Sequence, residues 1–400
     1  MKRLLMVSTI SRFLRDFLMP FAWHFREKGW QVDALTSDIA AFPECAEPFN
    51  HVWEVNWSRS PLDPMNFRET PEKVRRIVAE EGYDLVHVHT PVAALVTRYA
   101  LKGLRRQGKT KVIYTAHGFH FHPHGTFPKN QLFYATEKLA GAWTDYLVVM
   151  NREDEASARK GRFVPDDHLM YMPGIGVDLQ RYRQDAISAE AVAEVYQTLG
   201  ITPGTPYLLM VAEYIPRKRH ADALQAFARL ENRQVHLVLA GSGFLEEQMK
   251  GLAASLGIAD RLHFLGFRRD VRAYVRSAYA TVLPSSQEGL PRCIMESLAF
   301  GVPAIGTDVR GTRDLIHGGA GLLVTLGDIP GLAQAMDWLL AHPAEARHMG
   351  ETGKQQMAAY ELNAIIQHHE LLYAQALQEV ELTLPYTLPV AVESWTPAER

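Results

Sequence analysis

The chain has 400 residues, 47% of them apolar and 22% charged, an ordinary globular composition at a length that suits two domains with separate cores. Its net charge of -3 excludes a general nucleic-acid binder, whose footprint is strongly basic. The two cysteines, Cys45 and Cys293, are too few for a disulfide framework and fit a reducing compartment.

The chain opens Met1-Lys2-Arg3 and runs apolar to Ile10, but Arg12, Arg15 and Asp16 interrupt the run and no small-residue cleavage site follows. A buried first strand is therefore expected, not a leader. Short apolar runs then alternate with longer helical patterns, the mark of parallel βαβ architecture. In the first half, strands are expected at Leu4–Ser8, Val32–Thr36, Leu85–His89, Lys111–Ala116 and Tyr146–Met150, with helices at Glu69–Glu81 and Gln131–Ala142. The second half repeats the theme with Tyr207–Ala212, His236–Ala240, Arg261–Leu265, Ala280–Pro284 and Val302–Thr307. Polar residues, Pro203 and Gly204 break the pattern, so the hinge is expected near Asp178–Gly204. This divides the chain into 1–182, 183–380 and a loosely attached tail, 381–400. No stretch is long and apolar enough to span a bilayer. The protein is expected to be soluble or to sit on a membrane surface. In open α/β sheets ligands bind beyond the carboxyl ends of the strands, so the chemistry should lie on loops that follow strands.

Four such segments carry reactive side chains. In Leu283-Pro-Ser-Ser-Gln-Glu-Gly-Leu-Pro-Arg-Cys-Ile-Met-Glu296 a strand gives way to a polar loop and then to a helix. Pro291 suits the first helical position, and Gly301 is a natural terminator. The helix N-terminus offers free N–H groups and partial positive charge to a diphosphate. Glu288 and Glu296 flank it, and an ionised carboxylate accepts hydrogen bonds from vicinal sugar hydroxyls. Read alone, a loop glutamate and a solvated helix glutamate fit equally well. In Val211–His220, Lys218 and Arg217 can neutralise charge on a departing diphosphate, although an exposed, solvated loop accounts equally for Arg217 and Arg219. Thr115–His124 concentrates His117, His120, His122 and His124. Their spacing fits no closed zinc site and no cysteine or carboxylate lies alongside, so no metal is expected. His87 and His89 are expected to pair within a cleft wall. Two stretches bear on lipid surfaces. One is a basic stripe of Arg98, Lys102, Arg105, Arg106 and Lys109, which reads equally as a solvated face; the other is a row of Phe13, Phe17, Phe21 and Phe25, which reads more readily as a helix packed on its own sheet.

Together these segments resemble the retaining family-4 glycosyltransferases, with two glutamates eight positions apart between a strand and a helix. Phe264–Phe267, Gly301–Ala304, Thr307–Asp314 and the turn Ala240-Gly-Ser-Gly-Phe244 match as well. The resemblance runs from Met1 to about Tyr373. It implies the α/β GT-B fold: two Rossmann-like, doubly wound domains facing across a cleft, with a C-terminal helix returning to the acceptor-binding N-terminal domain. It implies Glu288 on the donor-sugar hydroxyls, Glu296 on the ribose diol and Lys218 at the diphosphate. Arg217, Gly289, Leu290 and Gly243 would complete the donor site, and His117 would lie near the reacting sugar. Two departures stand out. Glu213 occupies the usual arginine position, and Ser8–Phe13 lacks the glycines of the family's first loop, leaving Arg12 as a candidate phosphate contact.

Gly118-Phe-His-Phe121 resembles a subgroup that builds lipid-linked bacterial glycans. That implies a UDP-hexose or UDP-N-acetylhexosamine donor, with GDP-mannose behind it, and a polyprenyl-diphosphate-linked saccharide acceptor. It also implies transfer with retention, no metal or other cofactor, no nucleic acid, and peripheral contact with anionic lipid at the cytoplasmic face of the plasma membrane. A UDP-sugar 2-epimerase of the same fold, which needs no acceptor, a non-catalytic nucleotide-sugar-binding subunit, and a structural or interaction protein, which would have little reason to keep these charged groups, are the alternatives.

Overall fold

The computed structural model describes residues 1–58 and 63–379; the tail at 381–400 lies outside them. Among the described residues the strands form two parallel sheets. The first contains β1 (Arg3–Val7), β2 (Gln31–Thr36), β3 (Val52–Glu54), β4 (Leu85–Val88), β5 (Lys111–Ala116), β6 (Tyr146–Val149) and β7 (Leu169–Tyr171), in the order β3-β2-β1-β4-β5-β6-β7. The second contains β8 (Tyr207–Val211), β9 (His236–Ala240), β10 (Leu262–Gly266), β11 (Ala280–Leu283), β12 (Ala304–Thr307) and β13 (Gly321–Val324), in the order β10-β9-β8-β11-β12-β13. Both are doubly wound α/β arrangements of the Rossmann type. Each has a switch point where the winding reverses, between β1 and β4 in one sheet and between β8 and β11 in the other.

The central strands form because they are apolar on both faces. Leu4, Leu5, Met6 and Val7 are all buried, as are Tyr207 to Met210, the pattern of a sheet covered on both sides. The three strands absent from the sequence-based expectation, β3, β7 and β13, are three or four residues long and each closes a sheet edge. A run that short carries no readable period. Several expected strands overrun by one residue, at Ser8, His89, Met150, Ala212 and Pro284, and Arg261, Val302 and Pro303 fall before their strands. The helices expected at Glu69–Glu81 and Gln131–Ala142 span Thr70–Glu81 and Phe127–Gly141.

Two compact units result. The first takes Met1–Ile175 together with the chain from Asn363; the second takes Gly176–Leu362. The crossing at Ile175–Gly176 precedes the segment expected as a hinge, Asp178–Gly204. That segment holds a helix, Ala189–Leu199, whose Val195 and Leu199 join the second core. The C-terminal helix, Leu362–Ala376, returns to the first unit as the fold family implies. There His369 packs on Phe21 and Tyr373 on Phe25, each with ring centroids 4.8 Å apart.

Two local expectations need correction. Pro291 is the residue before the helix rather than its first residue: its ψ of 112° is extended, and the helix is Arg292–Ala299. Gly301 does end that helix, at φ +76°. The Gly301 N–H donates to Leu298 O and the Val302 N–H to Ser297 O, the paired bonds of a Schellman cap. The basic stripe is not a continuous charged face. Arg98 is buried, 2.9 Å from Glu137 and 4.1 Å from the Tyr114 ring centroid. Arg105 lies 3.1 Å from Asp145. The phenylalanine row is largely core, as its reading as a helix packed on its own sheet expects, since Phe21 and Phe25 are fully enclosed.

Removing one partner of a buried ion pair leaves the other charge stranded, at a cost of about 3–5 kcal/mol. Arg98→Ala should therefore lower the first unit's stability by about that amount in chemical denaturation, and Arg98→Met with Glu137→Leu should recover most of it.

Candidate functional site

In the second unit the loops leaving β8 and β11, the strands on either side of the switch point, meet. The Ser286 N–H donates to Arg217 O at 2.8 Å, and the Arg217 guanidinium donates to Gln287 O at 3.2 Å. This brings Lys218 Nζ to 2.5 Å from Glu288 Oε1 and Arg217 to 3.6 Å from Glu288 Oε2. Glu288 is only 6% exposed. Burial alone would raise its carboxyl pKa, but Lys218 and then Arg217 outweigh it and hold the group below its ordinary value. The carboxylate is thus charged, dry and paired. Arg217, read as equally compatible with a solvated loop, in fact faces this carboxylate. Arg219 instead pairs with Asp222 at 2.6 Å.

The backbone of the glutamate loop is clamped from below. The buried Arg310 donates from Nε to Glu288 O at 3.3 Å, and Thr307 Oγ1 donates to Ser285 O. Gly311, at φ +73°, lets its chain lie directly on Gly289, since a Cβ there would stand 2.2 Å from Gly289 O. Gly243 serves the same end beside β8. A Cβ on it would meet Tyr214 O at 2.6 Å, so the glycine allows the loops after β8 and β9 to touch. Leu290 packs against the unit's core.

Glu296 lies inside the helix and is nearly buried. Its Oε1 accepts from the Tyr182 hydroxyl at 2.6 Å and from Arg292 Nε at 2.8 Å. Among the described residues no side chain caps this helix and no acidic residue occupies its first turn. Cys293 sits in that turn within the fields of Lys218, Glu288 and Glu296. Burial pushes its thiol up to about 12, Lys218 opposes the shift, and both carboxylates add to it. The thiol therefore stays protonated at neutral pH. Arg292, Arg310, Tyr182 and Cys293 had no role in the sequence-based expectation. Glu213, in place of the usual arginine, is exposed.

The other reactive groups belong to the first unit. His117 follows β5, with its ring 4.9 Å from Phe13 and its Nε2 3.3 Å from His89 Nδ1. His87 bonds to the Tyr373 hydroxyl at 2.6 Å and to Thr115 Oγ1 at 2.8 Å. His87 and His89 therefore pair inside this unit. Phe119 and Phe121, the aromatics of the Gly-Phe-His-Phe segment, are core, stacked 5.0 Å apart. Among the described residues no group of three or more His, Cys, Asp or Glu is placed to hold a metal ion.

The loop after β1 holds its shape with hydroxyls instead of glycines. Thr90 Oγ1 accepts from the Thr9 N–H at 2.7 Å, and Ser37 Oγ donates to Thr9 O at 2.6 Å. Arg12 pairs with Asp16 at 3.3 Å. At this switch point lies a cavity of about 230 Å³ lined chiefly by Ile10, Phe13, Val92, Leu95 and Phe133, with Glu137 on its wall.

His87, His89, His117 and His369 share one dry region, and burial is the main cause lowering each pKa, to about 3 for His117 and about 4 for His369. A native imidazole that resists protonation costs stability wherever the unfolded chain, titrating near 6.5, binds the proton. Stability should thus be flat above neutrality and fall as pH drops below about 6.5, by up to about 1.4 kcal/mol per pH unit for each histidine. Denaturation midpoints from pH 8 to 5 would check this, with His369→Leu flattening the slope by about one proton.

Comparison with known proteins completes the picture. Residues 17–174 match the family model described as glycosyl transferase 4-like domain, and residues 193–356 match glycosyl transferases group 1. EpsD of Bacillus subtilis strain 168, named as a glycosyltransferase, is 32% identical over 356 residues, covering 88% of this chain and 91% of the relative. A UDP-Gal:α-D-GlcNAc-diphosphoundecaprenol α-1,3-galactosyltransferase of Escherichia coli is 27% identical over 267 residues, 65% of this chain and 67% of that one. Among solved structures, Anabaena HepE in complex with UDP and glucose superimposes with a TM-score of 0.78 at 17% identity, over 94% of this chain and all of HepE. Sucrose-phosphate synthase from Thermosynechococcus elongatus does so with 0.80 at 21%, over 95% of this chain and all of that one. Both halves are matched by transferase models and one relative is similar along nine-tenths of its length, so the chain belongs to the family-4 glycosyltransferases of GT-B fold.

Proposed function

We propose that this protein transfers a sugar, with retention at the anomeric carbon, from a nucleotide diphosphate donor to a lipid-linked saccharide during polysaccharide or glycan synthesis. The observation that carries the reading is the buried Glu288 held between Lys218 and Arg217 at the second unit's switch point. In this reading Glu288 accepts hydrogen bonds from the donor sugar's hydroxyls and Glu296 binds the ribose. Lys218 has three N–H donors, and its contact with Glu288 uses one. The remaining donors, together with Arg217 and the helix N-terminus, neutralise the charge that grows on the leaving diphosphate. These cations carry the role that a metal ion holds in other transferases, and no cofactor enters the reading. The acceptor hydroxyl attacks on the leaving-group side. The new C–O bond forms as the bond to the diphosphate breaks, and a diphosphate oxygen takes the proton. Gly289, Leu290 and Gly243 shape the donor loops, and His117 borders the acceptor side.

The relative acting on a diphosphoundecaprenol-linked sugar supports a polyprenyl-diphosphate-linked acceptor and a UDP-hexose or UDP-N-acetylhexosamine donor. Glu288→Ala should lower kcat on the order of 10²-fold or more through loss of preorganised contacts. The test is a panel of nucleotide sugars, with and without polyprenyl-diphosphate saccharide. Transfer only in the presence of acceptor supports the reading. Conversion of free UDP-sugar to its 2-epimer would replace it with an epimerase, and binding without turnover would make the chain a binding subunit.

The reading includes peripheral contact with anionic lipid at the inner face of the plasma membrane. No described helix is long and apolar enough to cross a bilayer. Support comes from the Phe127–Gly141 helix, which buries only Ala140 and Gly141. Leu132, Ala135 and Leu139 recur at helical spacing on its outer side, with Leu132 46% and Leu139 60% exposed, and exposed lysines, Lys129 and Lys138, lie to either side. An outward apolar ridge flanked by cations suits a lipid surface. Leu132→Asp with Leu139→Asp should reduce cosedimentation with phosphatidylglycerol vesicles at least tenfold while leaving the melting temperature unchanged. Equal retention of the variant, or none of the wild type, would overturn the contact.

A further inference from the structure

We propose that Tyr182 and Arg292 are positioning residues that commit one oxygen of Glu296 to the protein and leave the other alone to read the ribose hydroxyls of the donor nucleotide. The proposal rests on the reading of Glu296 as the ribose contact. Its own observation is different: both donors converge on the same oxygen. The Tyr182 hydroxyl lies 2.6 Å and Arg292 Nε 2.8 Å from Glu296 Oε1. A carboxylate oxygen offers two lone-pair sites, so Oε1 is filled. Glu296 Oε2 makes no hydrogen bond among the described residues.

The two donors reach Glu296 by different routes. Arg292 is one helical turn away on the same helix. Tyr182 comes from the segment that opens the second unit, far away in sequence. It is 6% exposed, and its ring meets Phe300 edge-on at 5.3 Å. Phe300 closes the same helix, so the tyrosine is braced against the element whose glutamate it holds. Burial, reinforced by the charge of Glu296, raises the phenol pKa, so the hydroxyl is always a donor at physiological pH. A carboxylate held at one oxygen by a neutral and a cationic donor cannot rotate. Its free oxygen is therefore preorganised, and the ordering cost is met before the nucleotide arrives.

Tyr182→Phe removes only the hydroxyl and keeps the ring packed on Phe300. The probes are UDP and 2′,3′-dideoxy-UDP, compared by calorimetry on the full chain, together with steady-state kinetics on the donor. Hydrogen bonds to a charged group set the expected scale. The variant should bind UDP about tenfold more weakly, bind the dideoxy nucleotide as the wild type does, and raise donor KM with kcat nearly unchanged. A merely structural role would weaken both nucleotides alike, and that result would overturn the proposal. Glu296→Gln separates the two layers. If it abolishes discrimination between the nucleotides while Tyr182→Phe leaves discrimination at the wild-type level, the positioning role fails and the ribose reading stands. If Glu296→Gln leaves discrimination intact, the ribose reading itself fails.

Discussion

The second unit is organised around one buried charge. Glu288 loses its hydration in the fold and remains ionised only because Lys218 and Arg217 face it. An unpaired carboxylate in that place would be costly. The loops after β8 and β11 must therefore arrive together or not at all. The rest of the local design serves that meeting. Arg310 and Gly311 press the glutamate loop into position, and Gly243 lets the neighbouring turn close against Tyr214. The switch-point topology explains why these loops are adjacent, since β8 and β11 pair directly although a long stretch of chain separates them.

The first unit places its polar groups differently. His87, His89, His117 and His369 are neutral and enclosed, and hydrogen bonds join His89 to His117 and His87 to Thr115 and Tyr373. The second unit's site is built on charge, whereas this region of the first unit is built on neutral rings and hydroxyls. A diphosphate needs fixed cations, whereas neutral imidazoles only donate or accept single hydrogen bonds. The cavity after β1 continues this character, with apolar walls and threonine hydroxyls at its rim.

Much of this was legible in the residues, and the exceptions have physical causes. Central strands announce themselves because both faces are buried; β3, β7 and β13 do not, because an edge strand of three or four residues has too little pattern to read. Glu288 and Lys218 were legible as charged groups on strand-to-helix loops, and Glu296 as a carboxylate in the helix that follows. Tyr182, Arg310 and Arg292 were not, since what they do depends on partners that only the folded chain supplies. Arg98 and Arg105 show the reverse failure. Helical spacing made them look like one solvated face, but periodicity along a helix says nothing about Glu137 and Asp145 waiting on neighbouring elements.

The returning C-terminal helix has a consequence for how the molecule is made. His369 and Tyr373 cover Phe21, Phe25 and His87, so the first unit lacks part of its core until the second unit has been synthesised. A fragment ending at Ile175 would present that apolar gap to water and invite aggregation. In translation order, the first unit is completed only after the second.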